Sequence, residues 1–224
     1  MLSFDKNIEK LENSLTKDIS WRKKELVNLK NEIDSKFVSN NQAVSFLVRG
    51  AIALIYAHWE GSVKTQLSAY VKFLNTLLKQ NYIQIEEYDD EILDLLFQPT
   101  IKTLRHNIKE KRLKGIENFK NLYFDKNILQ IDSKEVVSTK SNLSFEVLTE
   151  LFEKFQIEQI DNIHHQFIEK LVMNRNAIAH GERRYTYIDE KIKQEIEDTI
   201  QKIDNLIDGV KQNILDKAEK YRKG

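Results

Sequence analysis

An all-α protein, a bundle of about five to seven helices, is the fold that three observations predict. The 224-residue chain holds one proline and six glycines, so the residues that punctuate β-rich folds are scarce. Apolar side chains recur every three or four residues over long stretches, the spacing that lines one face of a helix. Hydrophobic residues make up 41% and charged residues 31%, enough of each for a solvated surface around a sizeable core.

The elements follow from that spacing. Phe4, Ile8, Leu11, Leu15, Ile19, Leu26, Leu29 and Ile33, with lysines and glutamates between them, predict a long amphipathic helix from Phe4 to about Ile33. From about Gln42 to Leu78 the apolar residues of "LVRGAIALIYAHWEGSVKTQLSAYVKFL" fall on most faces, as in a helix that runs through the middle of a fold. Between about Tyr82 and Ser144 the pattern loosens. "IEEYDDEILD" is acidic, Ile101 to Lys126 carries eight Lys/Arg against three Asp/Glu, and "DSKEVVSTKSN" reads as a polar connector with room for a short extended piece. This region is expected to be an insertion at about 82–144 on the helical frame of a single domain spanning 1–224. Order returns at "LSFEVLTELFEKF", where Ser144 is placed to cap a helix whose buried stripe is Val147, Leu148, Leu151 and Phe152. Further helices are expected from about Asp161 through "HHQFIEKLVMNRNAIAH" and from about Asp189 to Tyr221, the last carrying Ile192, Ile196, Ile200, Ile203, Ile207, Val210 and Ile214 at helical spacing.

Composition removes several function classes. There is no cysteine, hence no disulfide, thiolate metal site or cysteine nucleophile. Lys+Arg and Asp+Glu are equal at 35 each, so a nucleic-acid partner would have to be held by local charge. The start "MLSFDKNIEK" lacks the order of a signal peptide, and the longest apolar run, "AIALIYA", is far short of the roughly 18 residues that cross a bilayer. A soluble, cytoplasmic protein with no membrane association is expected.

The chemistry concentrates in "LVMNRNAIAHGERR", Leu171 to Arg184. Asn176 and His180 are four apart and share a helix face. Arg175 and His180 are five apart, about 140° around the helix, and converge only through arginine's long side chain, a distorted helix end or a partner chain. Gly181 suits the position just past a helix end, which puts His180 on the last turn, where the exposed carbonyls favour a cation. Histidine titrates nearest neutrality and arginine is always charged. With an asparagine to orient one of them, they suit phosphodiester chemistry on RNA: the histidine moves a proton at the ribose 2′-hydroxyl or the leaving oxygen, and the arginine stabilises charge on the phosphorane-like transition state. No His/Asp/Glu cluster stands at metal-ligand spacing, since the adjacent His164 and His165 point to different faces. Neither metal nor cofactor is expected.

Glu60 shares a face with Arg49, Tyr56 and Lys64. It is a candidate to orient Arg175 through a carboxylate–guanidinium pair, with a simple pair to Lys64 as the alternative. His58 points away, among Ala51, Leu54 and Ile55; it reads more readily as a core histidine than as a proton donor, and stands with Glu60 as a supporting candidate. Trp59 and Gly61 read as packing residues. Arg183 and Arg184 are candidates for phosphate contacts or plain solvated arginines, and the basic run "RHNIKEKRLK" either extends that surface or is a wet helix face.

"LVMNRNAIAHG" resembles the R-x4-H signature of the HEPN superfamily of helical domains, with Arg175, Asn176 and His180 at its positions. "LIYAHWEGSVK", holding His58, Trp59, Glu60 and Gly61, and "NLSFEVLTELFEKF" resemble segments of a prokaryotic branch of that superfamily, so the similarity spans roughly Leu47 to Arg184. Where some toxin members carry a tyrosine two residues after the histidine, this chain has Glu182. The resemblance implies a metal-independent endoribonuclease of the toxin–antitoxin or phage-defence type, a homodimer whose two motifs form one composite cleft on RNA, and a possible antitoxin or defence partner. A non-catalytic HEPN module that binds RNA, nucleotides or a partner protein is the alternative, and a purely structural helical protein a third.

Overall fold

The computed structural model describes residues 2–37, 42–84, 87–124, 130–186 and 188–223. Among them lie α1 (Leu2–Lys36), α2 (Gln42–Lys79), α3 (Asp90–Leu104), α4 (Lys109–Phe124), α5 (Ser133–Val136), α6 (Phe145–Lys154), α7 (His165–Ala179) and α8 (Glu190–Glu219), with a 3-10 turn, Asn162–His164, ahead of α7. The described residues hold no strand.

The eight helices of the described residues exceed the five to seven expected, and the excess arises in residues 82–144, the region expected to be an insertion. Residues 82–144 contain α3, α4 and the single turn α5, while residues 85–86 and 125–129 fall outside the described ones. The insertion's pattern was loose because α4 packs chiefly against α3, leaving Leu113, Ile116 and Phe119 exposed. A helix with one neighbour has little need of an apolar stripe. The polar connector holds no extended strand either. Asp132 accepts a hydrogen bond from the Lys134 N–H at 2.9 Å and so starts α5, after which residues 137–143 run as an irregular strap over α2.

α2 is surrounded because it must be. Val48, Ile55, Tyr56, Trp59, Val63, Leu67, Tyr70 and Leu74 are all buried, and α1, α7 and α8 close around them. Each such aliphatic side chain contributes roughly 1.5–3 kcal/mol on leaving water. The expected stripe of α8 is buried from Ile196 to Ile214, with Ile192 partly covered. Ser144 caps α6 as its sequence implied, its hydroxyl accepting from the Val147 N–H at 3.2 Å, and Val147, Leu148, Leu151 and Phe152 form the buried stripe. Asp189 does the same for α8 through the Ile192 N–H at 2.9 Å.

Between α1 and α2 a charge is buried with its partner. Arg22 donates to both carboxylate oxygens of Asp18, at 2.8 and 3.0 Å, in the fork geometry that holds a guanidinium most firmly. Its guanidinium lies across Gly61, where a Cβ would stand 2.9 Å from Arg22 Nη1. Gly61 is therefore a close-approach residue, and Gly61→Ala is expected to destabilise the fold by about 1–3 kcal/mol, read from urea unfolding, because the buried ion pair must shift to admit the methyl group.

A second charged tie fastens the far end of α8. Lys217 Nζ sits 2.5 Å from Asp89 Oδ2, and the Tyr221 hydroxyl donates to the same oxygen at 3.0 Å. Burial pushes the Asp89 carboxyl up, but the bond and charge of Lys217, helped by Tyr221, leave it below the usual carboxylate value. A carboxyl depressed in the folded state adds stability above its unfolded pKa of about 3.9 and loses it as pH falls toward the lower folded value. The stability gap between wild type and Asp89→Asn should accordingly be constant near neutrality and shrink below about pH 4, measured by denaturant unfolding across pH.

Candidate functional site

The end of α7 follows from its residues. Gly181 takes φ of +80°, its N–H donates to the Ile178 carbonyl at 3.1 Å, and the Glu182 N–H reaches back to the Ala177 carbonyl at 2.9 Å. These paired bonds satisfy two of the last free carbonyls and need a left-handed residue between them, a conformation glycine adopts without strain. His180 is thereby the residue on which the helix stops, and its side chain is exposed.

Arg175 is half-buried. Its guanidinium lies over the Tyr56 ring with Cζ 4.7 Å from the ring centre. Nη1 donates to Asn176 Oδ1 at 2.7 Å and to Asn142 Oδ1 at 2.8 Å. Both acceptors are neutral amides, so they orient the cation and leave its charge uncancelled. The Tyr56 hydroxyl accepts from the Leu143 N–H at 2.7 Å. Burial pushes that phenol up to about 12, against the pull of the Leu143 bond and with a further push from the nearby Glu60 carboxylate, so the ring under Arg175 is neutral at ordinary pH.

Of the two roles open to Glu60, the bond observed is to Lys64, at 2.8 Å. The same Oε1 accepts from the Thr139 hydroxyl at 2.5 Å. Burial pushes the Glu60 carboxyl up, and the bonds from Lys64 and Thr139 outweigh it, so the group sits below the usual carboxylate value. Glu60 thus reaches Arg175 through Tyr56 and the strap, with its own hydrogen bonds going to Lys64 and Thr139.

The other sequence candidates divide. His58 is 2% exposed and faces α1, edge-on to Trp21 with ring centres 5.3 Å apart. Its Nε2 lies 3.0 Å from Glu25 Oε2, near enough for an ion pair but not aligned as a hydrogen bond. Burial lowers its pKa and Glu25 partly restores it. His58 is a core residue on the opposite side of α2 from the arginine. Arg183 is exposed, while Arg184 Nε pairs with Glu182 Oε2 at 3.4 Å, so a phosphate at Arg184 would compete with a carboxylate already there. Among the described residues no hydrogen bond joins Arg175 to His180: the first is anchored by Asn142 and Asn176 and the second stands at the exposed helix end.

Sequence reading missed Asn142, Thr139 and Tyr56 as parts of the site. Tyr56 carried a partial signal, since it lies one helical turn before Glu60, and so did Asn142, the first residue of "NLSFEVLTELFEKF"; Thr139 carried none. The return of the chain after α7 was missed too. Tyr185, at φ of +55°, receives the Asn174 amide on its hydroxyl at 2.9 Å and the Ser45 hydroxyl on its carbonyl at 2.5 Å, which ties the segment after His180 to α7 and α2.

A protein-family model described as RiboL-PSP-HEPN matches residues 17–216, which include all three segments noted above. No curated protein and no solved structure matches the chain.

Removing the Tyr56 hydroxyl alone tests how the strap is held. Tyr56→Phe keeps the ring beneath Arg175 but leaves the buried Leu143 N–H without an acceptor, and should lower stability by about 1–3 kcal/mol, seen as a fall in Tm.

Proposed function

We propose a function on one premise: the chain belongs to the RiboL-PSP-HEPN family, a member of the HEPN superfamily. The protein is a metal-independent endoribonuclease of a toxin–antitoxin or antiphage system, whose cleft is completed by a second copy of the chain. Arg175, Asn176 and His180 carry the reaction, with Arg183 available to RNA phosphates. The observation that carries the reading is the anchoring of Arg175 by neutral acceptors on one nitrogen, beside a helix that ends on an exposed histidine. An arginine meant for structure is more economically paired with a carboxylate; this one keeps its charge.

His180 takes the proton of a ribose 2′-hydroxyl as its oxygen attacks the adjacent phosphorus. Charge gathers on the non-bridging oxygens of the phosphorane-like transition state, where a guanidinium stabilises it. The bond to the 5′-oxygen breaks, a protonated histidine returns a proton to that oxygen, and the products are a 2′,3′-cyclic phosphate and a 5′-hydroxyl. Two histidines, one from each copy, can divide the base and acid roles.

A second reading is favoured by one specific feature, the carboxylate of Glu182 directly beyond the helix end and paired with Arg184. It repels a phosphate and suits a module that binds RNA or a partner protein without cutting. Incubating the purified protein with mixed tRNA and mRNA in chelator, beside Arg175→Ala and His180→Ala variants of unchanged circular dichroism, separates the two. Cleavage by wild type and its loss by about a hundredfold or more in both variants is expected. Intact RNA with equal binding by all three proteins would sink the ribonuclease reading.

A further inference from the structure

The strap between α5 and α6 lies outside the R-x4-H motif, only its end, Asn142 and Leu143, opening the segment "NLSFEVLTELFEKF", and it places one side chain on Arg175. We infer that Asn142 is a positioning residue for Arg175, holding its guanidinium so that the opposite edge faces an RNA phosphate. The inference rests on the ribonuclease reading above and adds to it a residue from the inserted region.

Two amide oxygens converge on one nitrogen. Asn176 Oδ1 comes from the neighbouring position on α7 and Asn142 Oδ1 from the strap, at 2.7 and 2.8 Å from Nη1. Asn176 shares its helix with the arginine and moves with it. Asn142 comes from another part of the fold, so of the two amides it alone refers the guanidinium to the body of the protein. With the Tyr56 ring beneath, the plane and the rotation of the group are both defined.

Such a reference point has to be rigid, and its surroundings are. Three residues before Asn142, Thr139 is 1% exposed and its hydroxyl donates to Glu60. One residue after it, the Leu143 N–H donates to Tyr56, and Leu143 is fully buried. Next comes Ser144, fixed as the cap of α6, whose own N–H donates to the Asn142 carbonyl at 3.0 Å. The strap is thus clamped to α2 on both sides of the asparagine and joined directly to a helix. Tyr56 serves twice, its face under the arginine and its hydroxyl on the strap, so one ring sets the distance between the two.

The anchoring leaves the useful edge open. Among the described residues Arg175 Nε and Nη2 take no protein acceptor, and these two N–H directions are the parallel pair that matches two oxygens of a phosphate. The choice of amide over carboxylate follows. A carboxylate at position 142 would hold Nη1 as well or better, but it would neutralise the charge that the phosphate must meet.

The test compares Asn142→Ala and Asn142→Asp with wild type, reading RNA cleavage in chelator, RNA affinity, Tm, and the side-chain NMR signals of Arg175 assigned with Arg175→Lys. Asn142→Ala should lower kcat about tenfold or more with Tm nearly unchanged, and its guanidinium signals should collapse to the averaged form of a freely rotating arginine. Asn142→Asp should keep those signals resolved yet weaken RNA binding about tenfold, the split that a merely structural residue would not give. Unchanged kcat in Asn142→Ala, or Arg175 signals already averaged in wild type, overturns the inference. Should wild type cut no RNA, the ribonuclease reading fails by itself, and the NMR comparison still decides whether Asn142 fixes Arg175. Should Asn142→Ala fail to fold, Asn142→Asp carries the same decision through its resolved signals and weakened binding.

Discussion

Most of this structure depends on the burial of α2. A helix of 38 residues that is apolar on most of its faces cannot remain beside water, and three long neighbours are needed to cover it. Once α1, α7 and α8 are in place, one strip of α2 is left for the strap and the arginine, and Tyr56 and Glu60 occupy it. The site is therefore built where the central helix is covered by the strap. Polar groups that would be costly in a closed core find partners there, because an irregular backbone lies over them and supplies donors.

The same dependence explains how the segment with His58, Trp59, Glu60 and Gly61 is used. Four consecutive residues point in four directions. Trp59 fills the core, Gly61 makes way for the Arg22–Asp18 pair, His58 meets Glu25 on α1, and Glu60 fastens the strap. Three of the four serve the packing that keeps α2 enclosed. Only Glu60 has any bearing on the arginine, and that bearing is indirect.

Much of the frame was legible in the sequence, for reasons that separate what was read from what was not. Helix faces, the Ser144 cap and the Gly181 stop are written in residues within four positions of each other, so periodicity and capping chemistry suffice to find them. Arg175, Asn176 and His180 could be picked out in the same way. Asn142 meets Arg175 across 33 residues, Leu143 meets Tyr56 across 87, and Thr139 meets Glu60 across 79. No local spacing encodes those partners. The polar strap looked like a connector because it finds its partners on α2 and α7 only after the chain has folded back. The extra helices of the insertion were hidden for a related reason, since α4, facing mostly solvent, has little of the stripe by which a helix announces itself.

The two clamps at Thr139 and Leu143 have a consequence for how the protein can change. Chain arriving from α4 is held before it reaches them, where the Asn75 side chain exchanges two hydrogen bonds with the Ile131 backbone at 2.8 and 2.9 Å, so slack introduced at α4 meets that tie and then Thr139 ahead of Asn142. α4, which packs chiefly against α3, can therefore differ in size and surface without re-aiming the guanidinium, whereas α3 buries Ile92, Leu95 and Leu96. In engineering terms α4 is an interchangeable head on a fixed mount, the natural place to graft a new recognition element while the chemistry beneath it stays as it was.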